Sequence, residues 1–173
     1  MPKTFFITTA IDYTNGAPHI GHAYEKILAD AIARFQRLSG RDVFYLTGVD
    51  QHGQKVQQSA QQRGIEPAEF VNGITELFIA LWKKLDLKYD AWAATTSDVH
   101  KSCVQGILQR LWDEGKFYKA SQSGYYSVRQ EQFLTDRDRD ESGNFGPEWG
   151  EVVIIEEENW YFKLSEHTAW LKS

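Results

Sequence analysis

Apolar positions change their period several times along the chain, and each change marks an element. Residues 4–11 hold Phe5-Phe6-Ile7 and Ile11, an apolar, β-branched run that predicts a buried strand. From Ala23 onward, Ile27, Leu28, Ala31, Ile32, Phe35 and Leu38 fall at helical spacing, so an amphipathic helix is expected over 22–39, closed by Gly40. Val43-Phe44-Tyr45-Leu46-Thr47-Gly48-Val49 predicts a second buried strand that ends at Asp50-Gln51-His52-Gly53. Helices follow over 55–63, stopped by Gly64, and over 66–85, with Pro67 near its start. Residues 89–96 predict a short third strand, and Asp98 is expected to cap a helix over 99–114.

The pattern then becomes aromatic and irregular. Residues 116–132 predict two short antiparallel strands around Ser121-Gln122-Ser123-Gly124. Residues 136–144 read as a solvated polar loop, 151–155 and 160–164 as further strands, and Ser165 as the cap of a last helix. Strand, helix and strand in the opening order require a parallel, right-handed crossover. The fold class is therefore α/β, the opening half of a doubly wound nucleotide-binding sheet, followed by a small β-rich part.

Chemistry concentrates in the first crossover, at Tyr13-Thr14-Asn15-Gly16-Ala17-Pro18-His19-Ile20-Gly21-His22. Asn15-Gly16 is a turn signal, and Pro18 suits a first helical turn because it has no N–H to lose. His19 and His22 are three apart and share one face of that turn. A first turn carries unpaired backbone N–H groups and the positive end of the helix dipole, so two imidazoles there make a phosphate grip. Gly21 lies between them and lets a flat ring rest on the backbone. Two solvated surface histidines are the plain alternative. The position after a first buried strand favours the grip, because open α/β sheets bind ligands at the carboxyl ends of their strands.

Asp50 ends the second strand on the same edge. A carboxylate there holds an ammonium, or else caps the helix that follows. Ile11 and Tyr13 flank the first strand's end and offer the floor and wall of a small apolar pocket, although Ile11 equally suits the core. Glu25 and Lys26, one turn past the histidines, read as an ion pair or a solvated face. His52 joins no carboxylate–histidine set at metal-ligand spacing. Neither Gly-x-x-x-x-Gly-Lys-Ser/Thr nor Gly-x-Gly-x-x-Gly occurs. With no Ser/His/Asp or Cys/His arrangement, the chemistry favoured is positioning and charge stabilisation.

Composition narrows the partners. With 173 residues and 42% hydrophobic content the chain can bury a core. The net charge of −5 supplies no general field for nucleic acid. The single cysteine, Cys103, excludes an internal disulfide or a Cys-rich zinc knuckle and is expected to be a packed thiol. No apolar run is long enough to span a membrane, and Met1-Pro2-Lys3 leads into no signal-peptide core, so a cytoplasmic setting is expected.

His19-Ile20-Gly21-His22 matches the HIGH signature of class I aminoacyl-tRNA synthetases. The wider blocks are Ile11-Asp12-Tyr13-Thr14-Asn15-Gly16-Ala17-Pro18-His19-Ile20-Gly21-His22-Ala23, Thr47-Gly48-Val49-Asp50-Gln51-His52-Gly53, Thr95-Thr96-Ser97-Asp98-Val99-His100-Lys101 and Glu158-Asn159-Trp160-Tyr161-Phe162-Lys163-Leu164-Ser165. Together, in order, they resemble the amino-terminal part of a bacterial-type methionyl-tRNA synthetase. The resemblance implies a Rossmann-like (HUP-type) catalytic half over 1–115, a connective-peptide insertion over 116–165, and the truncated start of a return helix over 166–173. It implies methionine activation by ATP with Mg2+, then transfer to tRNA(Met), which is held mainly by parts beyond this chain. By matching positions, His19 and His22 are catalytic, Asn15, His19, Gly21 and His22 contact ATP, and Ile11, Tyr13 and Asp50 contact L-methionine.

The chain also departs from that family. Many members carry Cys-pair zinc knuckles in the insertion. Here Tyr126-Ser127-Val128-Arg129 and Gly146-Pro147-Glu148-Trp149 stand in those places, so no zinc is expected. The Lys-Met-Ser-Lys-Ser signature and a helical anticodon-binding domain are absent from these residues, which implies a fragment with little activity alone. A noncatalytic synthetase-like module, or another nucleotidylyl transferase on this fold, stays open at this level.

Overall fold

A computed structural model describes residues 3–173 of the chain. Met1 and Pro2, part of the segment that bears on a leader, lie outside the described residues. The chain divides into two compact units, Met1–Gln105 and Gly106–Ser173. The division falls inside the helix Asp98–Asp113, ahead of the 115/116 boundary that the resemblance implies.

The first unit is a parallel sheet with helical crossovers. Its elements are β1 (Thr4–Thr8), β2 (Asp12–Tyr13), α1 (Ile20–Leu38), β3 (Asp42–Asp50), α2 (Gln54–Arg63), α3 (Pro67–Lys84) and β4 (Ala91–Ala94), followed by the start of α4 (Asp98–Asp113). β3 is central, with β1 and β2 along one edge and β4 along the other, all parallel. The first strand therefore does not run unbroken over 4–11. Thr8 pairs with Leu46 and Asp12 with Val49, so the 9–11 segment carries one residue more than its partner and bulges. The bulge leaves Ile11 40% exposed and buries Asp12.

Helix α1 departs from its expected orientation. Its buried positions are Ala23, Lys26, Ala29, Asp30 and Ala33. The large apolar stripe, from Ile27 and Leu28 to Phe35 and Leu38, is exposed. Small alanines let the helix axis approach the sheet closely, and Ala29 and Ala33 pack on Tyr45. The main core lies elsewhere, where Val49, Val56, Phe70, Ile74, Phe78 and Trp82 meet. Pro18 precedes α1 rather than entering its first turn, and α2 is capped by Gly53, not by the Asp50 side chain. Asp98 lies inside α4, and Ser97 accepts the His100 N–H in the capping role instead. Cys103 is exposed, not packed.

The second unit holds an antiparallel sheet ordered β6-β5-β7, from β5 (Phe117–Ser127), β6 (Gln132–Leu134) and β7 (Val152–Phe162). The hairpin expected at 121–124 does not form. Ser121 through Gly124 stay in register opposite Glu158 through Ile155, so β5 and β7 are each continuous. The polar run Glu156-Glu157-Glu158 reads as a break only because this stretch of sheet is exposed, and Lys119 pairs with Glu158 across it. The 136–144 loop contains a short turn over Asp136–Asp138. After a turn over Leu164–His167 comes α5 (Thr168–Leu171), capped by His167 rather than Ser165.

The 126–129 and 146–149 segments, where the resemblance implies Cys pairs in other members, do meet. The Ser127 Oγ donates to the Trp149 carbonyl at 2.5 Å and accepts the Gln130 N–H at 3.0 Å. Gln130 Nε2 adds a bond to the Glu148 carbonyl at 3.1 Å.

Candidate functional site

The carboxyl ends of β2, β3 and β4 lie on one edge of the sheet, and α1 and α2 start from that edge. The turn Thr14–Gly16 leads into α1, as Asn15-Gly16 predicts. Thr14 fixes the turn to β3, because its N–H and its hydroxyl both donate to the Asp50 carbonyl, at 3.0 and 2.9 Å. Asn15 is exposed at the turn.

His19 is the N-cap of α1 and His22 is its third residue. The His19 Nδ1 accepts the Gly21 N–H at 3.1 Å, and the His22 Nδ1 accepts the His19 N–H at 3.2 Å. This is a capping box built from two imidazoles instead of the usual hydroxyl and carboxylate. The rings stack with centroids 3.8 Å apart. Each Nδ1 is an acceptor, so the proton of each neutral ring sits on Nε2, on the side away from the helix backbone. The pair therefore presents two N–H donors at the positive end of a 19-residue helix.

Gly21 admits a flat ring, but the ring against it is that of His19. A Cβ at Gly21 would lie 3.0 Å from the His19 Cε1. The Gly21 amide is also occupied by the cap, so the grip consists of imidazole N–H groups more than of that backbone amide. His22 packs edge-on against Phe78, with centroids 5.1 Å apart. Burial holds the His22 pKa below its ordinary 6.5; Asp12 pulls it back up, while His19 and Lys26 push it further down. Its neutral form is thus favoured near neutral pH.

Tyr13 pairs in register with Asp50, which brings the two to adjacent strand ends. The Asp50 Oδ1 accepts from Thr95 Oγ1 at 3.3 Å and from the His52 N–H at 3.4 Å, both long bonds. Its side chain is half-buried. Gln51 is held at both ends of its side chain, by Thr75 Oγ1 at 3.0 Å and Thr96 Oγ1 at 2.6 Å, which stiffens the turn. Ile11 projects into solvent beside this edge rather than into the core. A cavity of about 560 Å³ lined by Arg37, Lys83, Lys88 and Asp90 opens at the opposite ends of the strands and includes none of these residues.

The sequence reading missed the depth of Lys26. Its side chain is 0% exposed and lies 2.7 Å from Asp12 Oδ1 and 3.0 Å from Glu25 Oε2. The ion pair with Glu25 was legible, but the buried partner Asp12 was not. Its only signal was a charged residue among the alanines of the narrow face. Among the described residues, no group of three or more His, Cys, Asp or Glu side chains is placed to hold a metal ion.

Residues 5–142 match the family model described as tRNA synthetases class I (M). The chain is 45% identical to the methionine–tRNA ligase of Deinococcus radiodurans, over 98% of this chain and 26% of that protein. It is also 45% identical to the enzyme of Rhizobium meliloti, over 94% of this chain and 32% of that one. The chain thus spans between a quarter and a third of the length of these relatives. Mycobacterium tuberculosis methionyl-tRNA synthetase in complex with methionyl-adenylate superposes with a TM-score of 0.85 at 36% identity, covering 98% of this chain and 34% of that one. A leucyl enzyme from Agrobacterium radiobacter shares the fold at 22% identity, with a TM-score of 0.78. By this match and these identities, the chain belongs to the class I tRNA synthetases of the methionine type.

Proposed function

We propose that this chain supplies the ATP grip and one wall of the methionine pocket of a methionine–tRNA ligase. The observation that carries the reading is the stacked His19/His22 pair at the start of α1, each Nδ1 accepting a backbone N–H, on the sheet edge where Asp50 ends β3. ATP enters as its magnesium complex, with Asn15 and Gly21 beside its phosphates. The methionine ammonium sits on Asp50, and its thioether lies against Ile11 and Tyr13. A methionine carboxylate oxygen then attacks the α-phosphorus as the bond to pyrophosphate breaks, giving methionyl-adenylate. The two Nε2–H groups donate to phosphate oxygens as charge shifts in that step, a catalytic role through electrostatic stabilisation. A terminal hydroxyl of tRNA(Met) next attacks the adenylate carbonyl and releases AMP. The net charge of −5 accords with tRNA being held mainly by other parts of a longer protein.

In this reading residues 1–115 are the first half of the catalytic domain, 116–165 an insertion that holds its shape without zinc, and 166–173 the beginning of the return to the sheet. No helix among the described residues is long and apolar enough to cross a membrane, which accords with a cytoplasmic setting.

The test is methionine-dependent ATP–pyrophosphate exchange in the full-length protein. His22→Ala should slow adenylate formation by at least tenfold with methionine binding nearly intact. Unchanged exchange in that variant would sink the proposal.

A further inference from the structure

Lys26 is more thoroughly enclosed than any candidate ligand-binding side chain. Its ammonium has three N–H bonds, and all three are used, by the Ala10 carbonyl at 2.8 Å, Asp12 Oδ1 at 2.7 Å and Glu25 Oε2 at 3.0 Å. The other oxygen of Glu25 accepts the Ala10 N–H at 2.9 Å. Consecutive residues of α1 thus grip both polar backbone groups of Ala10, while Lys26 also grips the side chain of Asp12. Ile11 lies between those two fixed residues, at the bulge where the strand leaves its register. The Tyr45 hydroxyl donates to the Lys26 carbonyl at 3.3 Å and ties this turn of α1 to the centre of the sheet.

A buried ion pair is weak evidence of stabilisation, because desolvation offsets most of the attraction. An apolar side chain of the same length would fill the space. What it would not do is hold the bulge at the Ala10 carbonyl and the Asp12 carboxylate while fixing the Glu25 that holds the Ala10 N–H. The clamp also links two parts of the site. His19 and His22 start α1, and Glu25 and Lys26 lie one turn further along the same helix.

We propose that Lys26 is a positioning residue for methionine, acting through Ala10 and Asp12 to hold Ile11 at a set place relative to the histidine turn. The proposal rests on the methionine reading of Ile11 and Asp50. Its consequence is selective. Loss of the clamp loosens the methionine wall and leaves the His19/His22 cap, which has its own hydrogen bonds, in place.

The test is steady-state exchange kinetics with methionine and ATP varied separately in the full-length protein, with the melting temperature measured alongside. Lys26→Met should raise the methionine KM at least tenfold, leave the ATP KM within twofold, and lower the melting temperature by stranding Asp12. The double variant Asp12→Asn/Lys26→Met should recover melting temperature while keeping the raised methionine KM. It also serves as the comparison with the unsubstituted protein if the single variant does not fold. A methionine KM that recovers together with the melting temperature, or two KM values that rise together, would show a merely structural lysine and overturn the proposal. Absence of methionine-dependent exchange in the unsubstituted protein would instead overturn the functional reading on which it rests.

Discussion

A Cβ placed on Gly53 would lie 2.2 Å from the Tyr13 hydroxyl oxygen. Tyr13 ends β2 and Gly53 caps α2, and the space for the Tyr13 side chain depends on the missing side chain at Gly53. The backbone imposes the same residue, since Gly53 has φ +120° and ψ 160° at the start of α2, a region L side chains rarely occupy. Gly53→Ala should therefore cost about 1–3 kcal/mol, seen as a melting temperature lower by roughly 2–12 °C for a chain of this size. Tyr13 must also move, so methionine affinity should fall in the full-length protein. A variant with unchanged melting would show that the loop relaxes without strain.

His22 predicts a pH dependence with a definite sign. Its folded pKa lies below the ordinary 6.5, with burial as the largest cause. Above 6.5 both folded and unfolded chains keep it neutral, and its contribution to stability is complete. As pH falls below 6.5 the unfolded chain binds the proton first, so stability declines until the folded histidine titrates as well. Protonation also removes the Nδ1 acceptor that receives the His19 N–H. Urea unfolding at pH 7.5 and at 5.5 should show the loss. His22→Gln should flatten it, because glutamine at this position closes a capping box without titrating there. Equal losses in both proteins would remove His22 as the cause.

The second unit yields a prediction about metal. Ser127 is fully buried and its hydroxyl joins the 126–129 and 146–149 segments, where the resemblance implies Cys pairs in other members. Ser127→Ala removes the bonds to the Gln130 N–H and the Trp149 carbonyl, and because water can reach those groups the cost is about 0.5–1.5 kcal/mol per bond. A strong chelator should leave the melting temperature of the unsubstituted chain unchanged. Stoichiometric zinc that survives dialysis would show that other side chains bind it.

Much of the fold was legible because its signals are local. The helix stop at Gly64, the strand from Val43 to Val49, and the turn at Asn15-Gly16 all depend on neighbouring residues. The misses required knowledge of what each face meets. Nothing local says that α1 buries Ala29 and Ala33 instead of Ile32 and Phe35, because that choice is set by how closely the helix lies on Tyr45. Likewise, β5 runs straight through Ser121–Gly124 because β7 offers a partner at every position. At the candidate site, spacing and strand ends suffice to propose His19, His22 and Asp50. The bulge at 9–11 and the burial of Lys26 and Asp12 depend on a register between strands far apart in sequence.

Asp50 supplies the sharpest test of the proposed methionine site. Its side chain does not cap α2, whose cap residue is Gly53. Its Oδ1 accepts two long bonds, from Thr95 Oγ1 at 3.3 Å and the His52 N–H at 3.4 Å. An asparagine can keep an oxygen in that place, so Asp50→Asn should change stability little. What it removes is charge. A buried ion pair that loses one partner costs about 3–5 kcal/mol, and a half-exposed one such as this costs less. At about 1.4 kcal/mol per decade, methionine use in the full-length protein should weaken by roughly one to three orders of magnitude. The ATP KM should stay nearly constant, because His19 and His22 hold their cap without Asp50. Isothermal titration of methionine into the variant, beside exchange kinetics, checks both halves. If Asp50→Asn keeps the methionine affinity, the carboxylate only fastens the His52 turn to Thr95, and the ammonium must be sought elsewhere on the sheet edge.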